Sequence, residues 1–300
     1  MKTATPFRSA LATAWSVLLA ALLALTALAG PADAESPAPR RIVAIGGAVT
    51  ETLYALGAKD RIVAVDTTAV YPPEARRKPN VGYMRALSAE GVLAQSPDLV
   101  LMEDGAGPPQ AIELLEASGV AITTVPKGQS LATIGEKIAV IADAVGEAEK
   151  GKELAAGIER DLQRLESDLA KIGERKRVLF LLSIVDGRPM AAGSGTAADA
   201  MIGLAGGVNV FAGTTGYKTL STEVATELAP DVVVMMTGAG PGHGSADPFA
   251  ILALKATPAG QRNAIIRMDG AYLLGFGPRV ANAARDFAAR LYPGEIAPVQ

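Results

Sequence analysis

Tyr83 and Arg85 stand two residues apart in Asn80-Val81-Gly82-Tyr83-Met84-Arg85-Ala86-Leu87. The glycine, and the Tyr71-Pro72-Pro73 segment upstream, predict that this stretch is a loop. A phenolate oxygen is a hard anionic ligand suited to ferric iron, and tyrosine is among the side chains that hold haem iron axially. A guanidinium nearby supplies a fork that matches a carboxylate such as a haem propionate. Residue types alone leave a plainer alternative open, a tyrosine packed under its loop with its arginine in solvent.

The same sequence pattern occurs twice. Gly82-Tyr83, Leu87-Ser88-Ala89-Glu90 and Pro97-Asp98-Leu99-Val100-Leu101-Met102 have counterparts in Gly216-Tyr217, Leu220-Ser221-Thr222-Glu223 and Pro230-Asp231-Val232-Val233-Val234-Met235. From Leu87 to Leu220 onward the offset is a constant 133 residues. A repeat of this length predicts two similar lobes with a cleft between them, each offering a tyrosine. Tyr217-Lys218 would then face Tyr83-Arg85, with Lys218 either neutralising a carboxylate or lying in solvent. A looser correspondence pairs Gly46-Gly47 and Glu51 with Gly193, Gly195 and Asp199, each a Gly-rich turn entering a helix whose first turn carries an acid.

No enzyme constellation assembles. The chain holds one histidine, His243, in the run Gly238–Gly244, so multi-histidine metal sites are excluded. Gly193-Ser194-Gly195 lacks the spacing of a nucleophile elbow, and no Lys-Ser/Thr follows the Gly238–Gly244 run as a phosphate loop requires. Cysteine is absent, which removes disulfides, thiolate metal sites and a lipidated N-terminal cysteine. A secreted α/β hydrolase is therefore disfavoured, and the expectation is a protein without catalysis of its own.

Lys2 and Arg8, an apolar stretch from Leu11 to Leu28 and Ala32-Asp33-Ala34 read as a secretory signal peptide over residues 1–34, cleaved before Glu35. Removal leaves 266 residues, changes the net charge from −3 to −4 and takes away the only tryptophan, Trp15. Nothing in the remainder suggests nucleic acid, which calls for a basic face. A periplasmic location fits this reading.

Ile42–Ile45, Ile62–Val65, Leu99–Met102 and Ile122–Val125 are short, wholly apolar runs that read as buried strands, with helices at Thr50–Leu56, Ser88–Ala94, Gln110–Ala117 and Leu131–Ala144. This alternation predicts α/β layering on parallel sheets. It resumes at Val178–Leu182, with strands near Val208–Val210 and Val232–Met236 and helices near Thr196–Ala205, Thr222–Leu228, Phe249–Leu254 and Ala281–Leu291. Between the halves, Leu154, Ile158, Leu162, Leu165, Leu169 and Ile172 form one apolar stripe on a helix bracketed by Gly146 and Gly173. The expected organisation is an N-terminal lobe over 35–146, a bridging helix over 147–173 and a C-terminal lobe over 174–300. A helical bridge is stiffer than flexible strands, so modest closure is expected.

Gly82-Tyr83-Met84-Arg85-Ala86-Leu87-Ser88-Ala89-Glu90-Gly91 resembles a segment of the periplasmic haem-binding proteins of bacterial ABC haem importers, in the helical-backbone (class III) group of binding proteins. Pro189–Gly193, Thr196–Ile202, Gly206-Gly207-Val208-Asn209 and Leu273-Leu274-Gly275-Phe276-Gly277-Pro278-Arg279 are similar too. The resemblance implies two Rossmann-like α/β lobes with parallel-rich central sheets, joined by one long helix. It further implies haem b, with ferric iron, carried between the lobes by a monomer. Tyr83 would be the iron ligand and Arg85 a propionate partner. Delivery would be to an inner-membrane ABC permease with its ATPase, downstream of an outer-membrane haem receptor system. Some members place a histidine after the first strand of the second lobe, where Ser183-Ile184-Val185-Asp186-Gly187 has none; His243 is the candidate substitute. The resemblance also implies that Glu51 and Asp199 contact permease arginines, with helix capping as the competing account. A cobalamin or ferric-siderophore carrier of the same architecture is the alternative.

Overall fold

The computed structural model describes residues 38–238 and 246–299. The expected signal peptide and His243 lie outside the described residues. From Pro39 onward the chain forms one compact unit. Its first half builds a four-stranded sheet from β1 (Ile42–Ile45), β2 (Ile62–Val65), β3 (Leu99–Glu103) and β4 (Ala121–Val125), in the order β2-β1-β3-β4, with every pairing parallel. β1 is wholly buried and β3 nearly so, as expected of strands covered by helices on both faces. The covering helices are α1 (Gly47–Ala55), α2 (Ala89–Leu93), α3 (Pro109–Ala117) and α4 (Leu131–Ala144).

Helix α5 (Ala148–Leu169) follows, about 33 Å long at 1.5 Å per residue. Its stripe is buried at Ile158, Leu162, Leu165 and Leu169 in the second half's core, while Leu154 also packs against the core under β1 and α1. The second half builds a mixed sheet in the order β10-β9-β5-β6-β8, from β5 (Arg177–Val185), β6 (Arg188–Ala192), β8 (Tyr217–Thr219), β9 (Val232–Thr237) and β10 (Ile265–Asp269). The short β7 (Val208–Asn209) pairs with β5. Helices α6 (Ala197–Leu204), α7 (Thr222–Glu227), α8 (Leu252–Lys255), α9 (Pro258–Gln261), α10 (Gly270–Leu274) and α11 (Val280–Leu291) complete it.

The α/β class and parallel-rich layering agree with the sequence pattern, but three strands were not anticipated. β6 and β8 pair antiparallel at one end of the second sheet: β8 is a three-residue edge strand with exposed Lys218, and β6 opens on exposed Arg188 followed by Pro189, a residue that argues against a strand. β10 carries Arg267 at its centre, which hides Ile265 and Ile266 as a strand signal.

The internal repeat has a concrete physical basis. Asp98 accepts hydrogen bonds from the backbone N–H groups of Arg40 and Arg41, and Asp231 accepts one from that of Arg177. Arg41 donates to the carbonyls of Gln95 and Ser96, and Arg177 donates to those of Leu228 and Ala229, residues that correspond across the repeat. Ser88 and Ser221 each cap the helix that follows, accepting from Gly91 N–H at 3.2 Å and Val224 N–H at 3.3 Å. The motif therefore registers the strand pairs β1–β3 and β5–β9. It is scaffolding, repeated because two lobes need it.

Candidate functional site

A cavity of about 360 Å³ opens between the two halves, within the size range of small-ligand pockets. The first half contributes Arg85, Glu103, Lys127, Gln129 and Lys137; the second contributes Thr196, Tyr217 and the wall Leu274-Gly275-Phe276. Three cations against one carboxylate give this lining a net positive charge. The cavity thus favours a ligand with acidic groups and an apolar body.

Tyr83 follows Gly82, whose φ of 97° is open to glycine but strained for other residues. The Gly82 N–H donates to Asn80 Oδ1 at 2.8 Å, and Ala86 N–H closes the turn onto the Tyr83 carbonyl at 2.7 Å. Within this turn Tyr83 keeps 45% of its surface exposed, a high value for a large aromatic side chain. It is therefore not packed under its loop. Arg85, two residues on, lines the cavity mouth. Tyr217 lies on the opposite wall at the start of β8. Burial pushes its phenol up, offset in part by hydrogen bonding with Thr196 and the Ala198 backbone and by the charge of Arg85. Lys218 is exposed, and strand alternation turns it to the face opposite Tyr217.

Glu51 and Asp199 occupy unlike positions, which corrects the expected first-turn correspondence. Helix α1 starts at Gly47, so Glu51 falls in its second turn and caps nothing. Its carboxylate is taken by Arg279, with Nε donating to Oε2 at 2.8 Å and Nη2 to Oε1 at 2.6 Å. The Arg279 guanidinium lies 3.6 Å over the Tyr71 ring and 4.9 Å over the Tyr272 ring. Burial opposes the Arg279 charge, but Glu51, with smaller help from Tyr71 and Tyr272, outweighs it and the pKa is raised. Asp199 does sit in the first turn of α6, accepting from Asn209 Nδ2 at 2.8 Å and Gly195 N–H at 3.3 Å. Both Glu51 carboxylate oxygens are therefore engaged within the chain.

Lys137 was not anticipated, although its position carries a signal: it occupies the buried face of α4 between Ile134 and Ile141. It is 1% exposed, its Nζ lies 3.7 Å from Glu103 Oε1, and it donates to the Phe276 carbonyl at 3.5 Å. Burial pulls its pKa down; Glu103 pushes back in part, and the charge of Lys127 adds to the lowering. The folded state thus holds this proton less tightly than the unfolded chain. The resulting destabilisation is fully present below the folded pKa and vanishes as pH rises through the unfolded value near 10.4. Denaturant melts across the alkaline range should show wild type gaining stability relative to Lys137→Met as pH increases. A pH-independent difference would refute the assignment.

The family model described as periplasmic binding protein matches residues 42–272. The structure is similar to that of the periplasmic heme-binding protein BhuT in complex with two hemes, at 39% identity and a TM-score of 0.78, covering 84% of this chain and 97% of that one. It is similar also to the periplasmic heme-binding protein RhuT from Roseiflexus sp. RS-1, at 37% identity and a TM-score of 0.79, covering 85% and 99%. A vitamin B12-binding protein of Vibrio parahaemolyticus is 26% identical over 194 residues, 64% of this chain and 69% of that one.

Proposed function

For this chain, which belongs to the periplasmic binding protein family of ABC-transporter substrate carriers, we propose that the transported ligand is ferric haem. The observation that carries this reading is Tyr83, an exposed loop tyrosine beside an arginine that lines a cationic interlobe cavity. Two structural relatives above 35% identity that are named heme-binding support it.

In this reading the Tyr83 phenolate ligates the iron, Arg85 meets a propionate, and Tyr217 forms the far wall. Lys218, being exposed away from Tyr217, contributes long-range charge at most, and His243 is a candidate second ligand from outside the described residues. Apolar groups such as Leu274 and Phe276 supply the porphyrin contact. The monomer works in the periplasm after removal of its leader, receiving haem that an outer-membrane system has admitted. It delivers that haem to an inner-membrane permease and its ATPase, touching the permease through Asp199 and, once Arg279 lets go, Glu51.

Cobalamin is the second reading, favoured by the vitamin B12-binding relative. Titrating the ligand-free protein with haemin and with cyanocobalamin separates the two. The haem reading expects a saturable, shifted Soret band with charge-transfer features of phenolate-ligated ferric haem, and no saturable change with cyanocobalamin. Saturation by cyanocobalamin alone would establish the second reading instead.

A further inference from the structure

The segment between α10 and α11, residues 275–279, belongs to the second half yet is fastened to the first at several points. Arg279 holds Glu51 of α1 through one guanidinium edge, Nε and Nη2 donating to the two carboxylate oxygens, across 228 residues of sequence. Its guanidinium is stacked on Tyr71, also of the first half. Lys137 of α4 donates to the Phe276 carbonyl. Gly277 lies so close to α1 that an added Cβ would sit 3.4 Å from Ala48 Cα and 3.5 Å from Glu51 Oε2. Phe276 is held at a φ of 48°, a left-handed conformation that costs a bulky residue energy unless its surroundings enforce it. The same segment supplies the cavity wall Gly275-Phe276.

We propose that the Glu51–Arg279 pair is a clamp that sets the width of the cleft, making Arg279 a positioning residue for whatever ligand the cavity takes. The pair has the features such a role requires. Its fork fixes distance and angle together, whereas a lysine would fix only distance. Its carboxylate is 8% exposed, so water competes weakly for it. The stacking Tyr71 ring belongs to the half that the clamp grips, which locks the guanidinium plane. With the pair intact, Phe276 and Tyr217 stand at a preset separation from Arg85 and Lys137. With it broken, the 275–277 wall loses its one charged tie to the first half and keeps the long Lys137 hydrogen bond and apolar packing against Ala48, Ile134 and Ile138.

The clamp stands on the geometry of the unliganded protein; only its effect on ligand retention rests on the haem reading. The absence of cysteine permits clean labelling. Spin labels at Glu113→Cys and Glu227→Cys, exposed positions in the two halves, report the interlobe distance without ligand. Arg279→Gln, Glu51→Gln and the double substitution should each broaden that distribution, and the double by no more than either single. In the same proteins haemin should dissociate roughly tenfold faster, the scale of a lost charged hydrogen bond, with its association rate little changed. Arg279→Lys, which keeps the charge but loses the fork, should broaden the distribution part-way and serves where the glutamine variant folds poorly. An unchanged distribution in folded Arg279→Lys and Arg279→Gln would overturn the clamp, as would additive broadening in the double variant. Should the parent protein fail to bind haemin, the haem reading falls and the distance measurement alone decides the clamp.

Discussion

Phenylalanine at position 83 should strip the phenolate charge-transfer features from the haemin complex and weaken binding by at least roughly 100-fold. Loss of a group that only orients a metal ligand commonly costs about 10–100-fold, and loss of the ligand atom itself should cost no less. The substitution removes one oxygen and keeps the ring. With 45% of the side chain exposed and its turn held by Gly82 and Ala86 backbone contacts, the fold has little reason to respond. Melting temperature should therefore stay within about a degree or two, since surface changes away from special features fall within about 0.5 kcal/mol. Visible spectra, haemin transfer to an apoprotein acceptor and a thermal melt of the same preparations test this. Unaltered spectra and retention in Tyr83→Phe would remove tyrosine ligation from the mechanism. A matching fall in melting temperature would instead assign Tyr83 to packing.

Gly193→Ala should have the largest effect on stability. An added Cβ there would fall 1.8 Å from the Thr214 carbonyl oxygen and 3.0 Å from that of Gly216, both rigid backbone atoms. The two segments are cross-linked where they would be forced apart. Gly193 N–H donates to the Gly216 carbonyl at 2.8 Å, Ser194 N–H to that of Thr214 at 2.8 Å, and Gly216 N–H to that of Ser194 at 2.9 Å. Overpacking against backbone puts the cost at about 3 kcal/mol, or roughly 6–12 °C in a chain of this size. Because Thr196 and Tyr217 follow directly from these segments, ligand binding should fall with stability. Gly203→Ala is the control: it lies inside α6 with open space around its Cβ position, and should stabilise by about 0.5–1 kcal/mol. Equal melts for wild type and Gly193→Ala would show that the 193–196 turn relaxes freely.

The scaffold is largely legible because parallel strands buried on both faces must be apolar, as β1 is throughout and β3 and β9 are up to their last residues, Glu103 and Thr237. The short edge strand β8 escapes that rule although it delivers Tyr217 to the cavity, and in β6 Pro189 directly after the exposed Arg188 masks the strand. The repeat singles out both tyrosines, yet their environments differ: Tyr83 is exposed on a loop and is not among the residues lining the cavity, whereas Tyr217 is half-buried on a strand and lines it. Glu51 stands out by its place in a motif and its partner does not, since no local pattern couples residues 228 apart. Arg279 lay in plain view within Gly277-Pro278-Arg279, but only the packing of α1 against the 275–279 segment makes it Glu51's counterion. Lys137 was readable in principle as a charge on an otherwise apolar helix face. The apolar pattern around it is strong enough that periodicity reports the helix and not its one charged exception.

Helix α5 gives Ile158, Leu162, Leu165 and Leu169 to one interior while Leu154 reaches the other. No clean seam therefore exists near residue 147 at which a protease or a molecular biologist could part the chain into two free-standing halves. Either fragment would bare oily surface to the solvent, the first where Leu154 covers it and the second where Ile134 and Ile138 do.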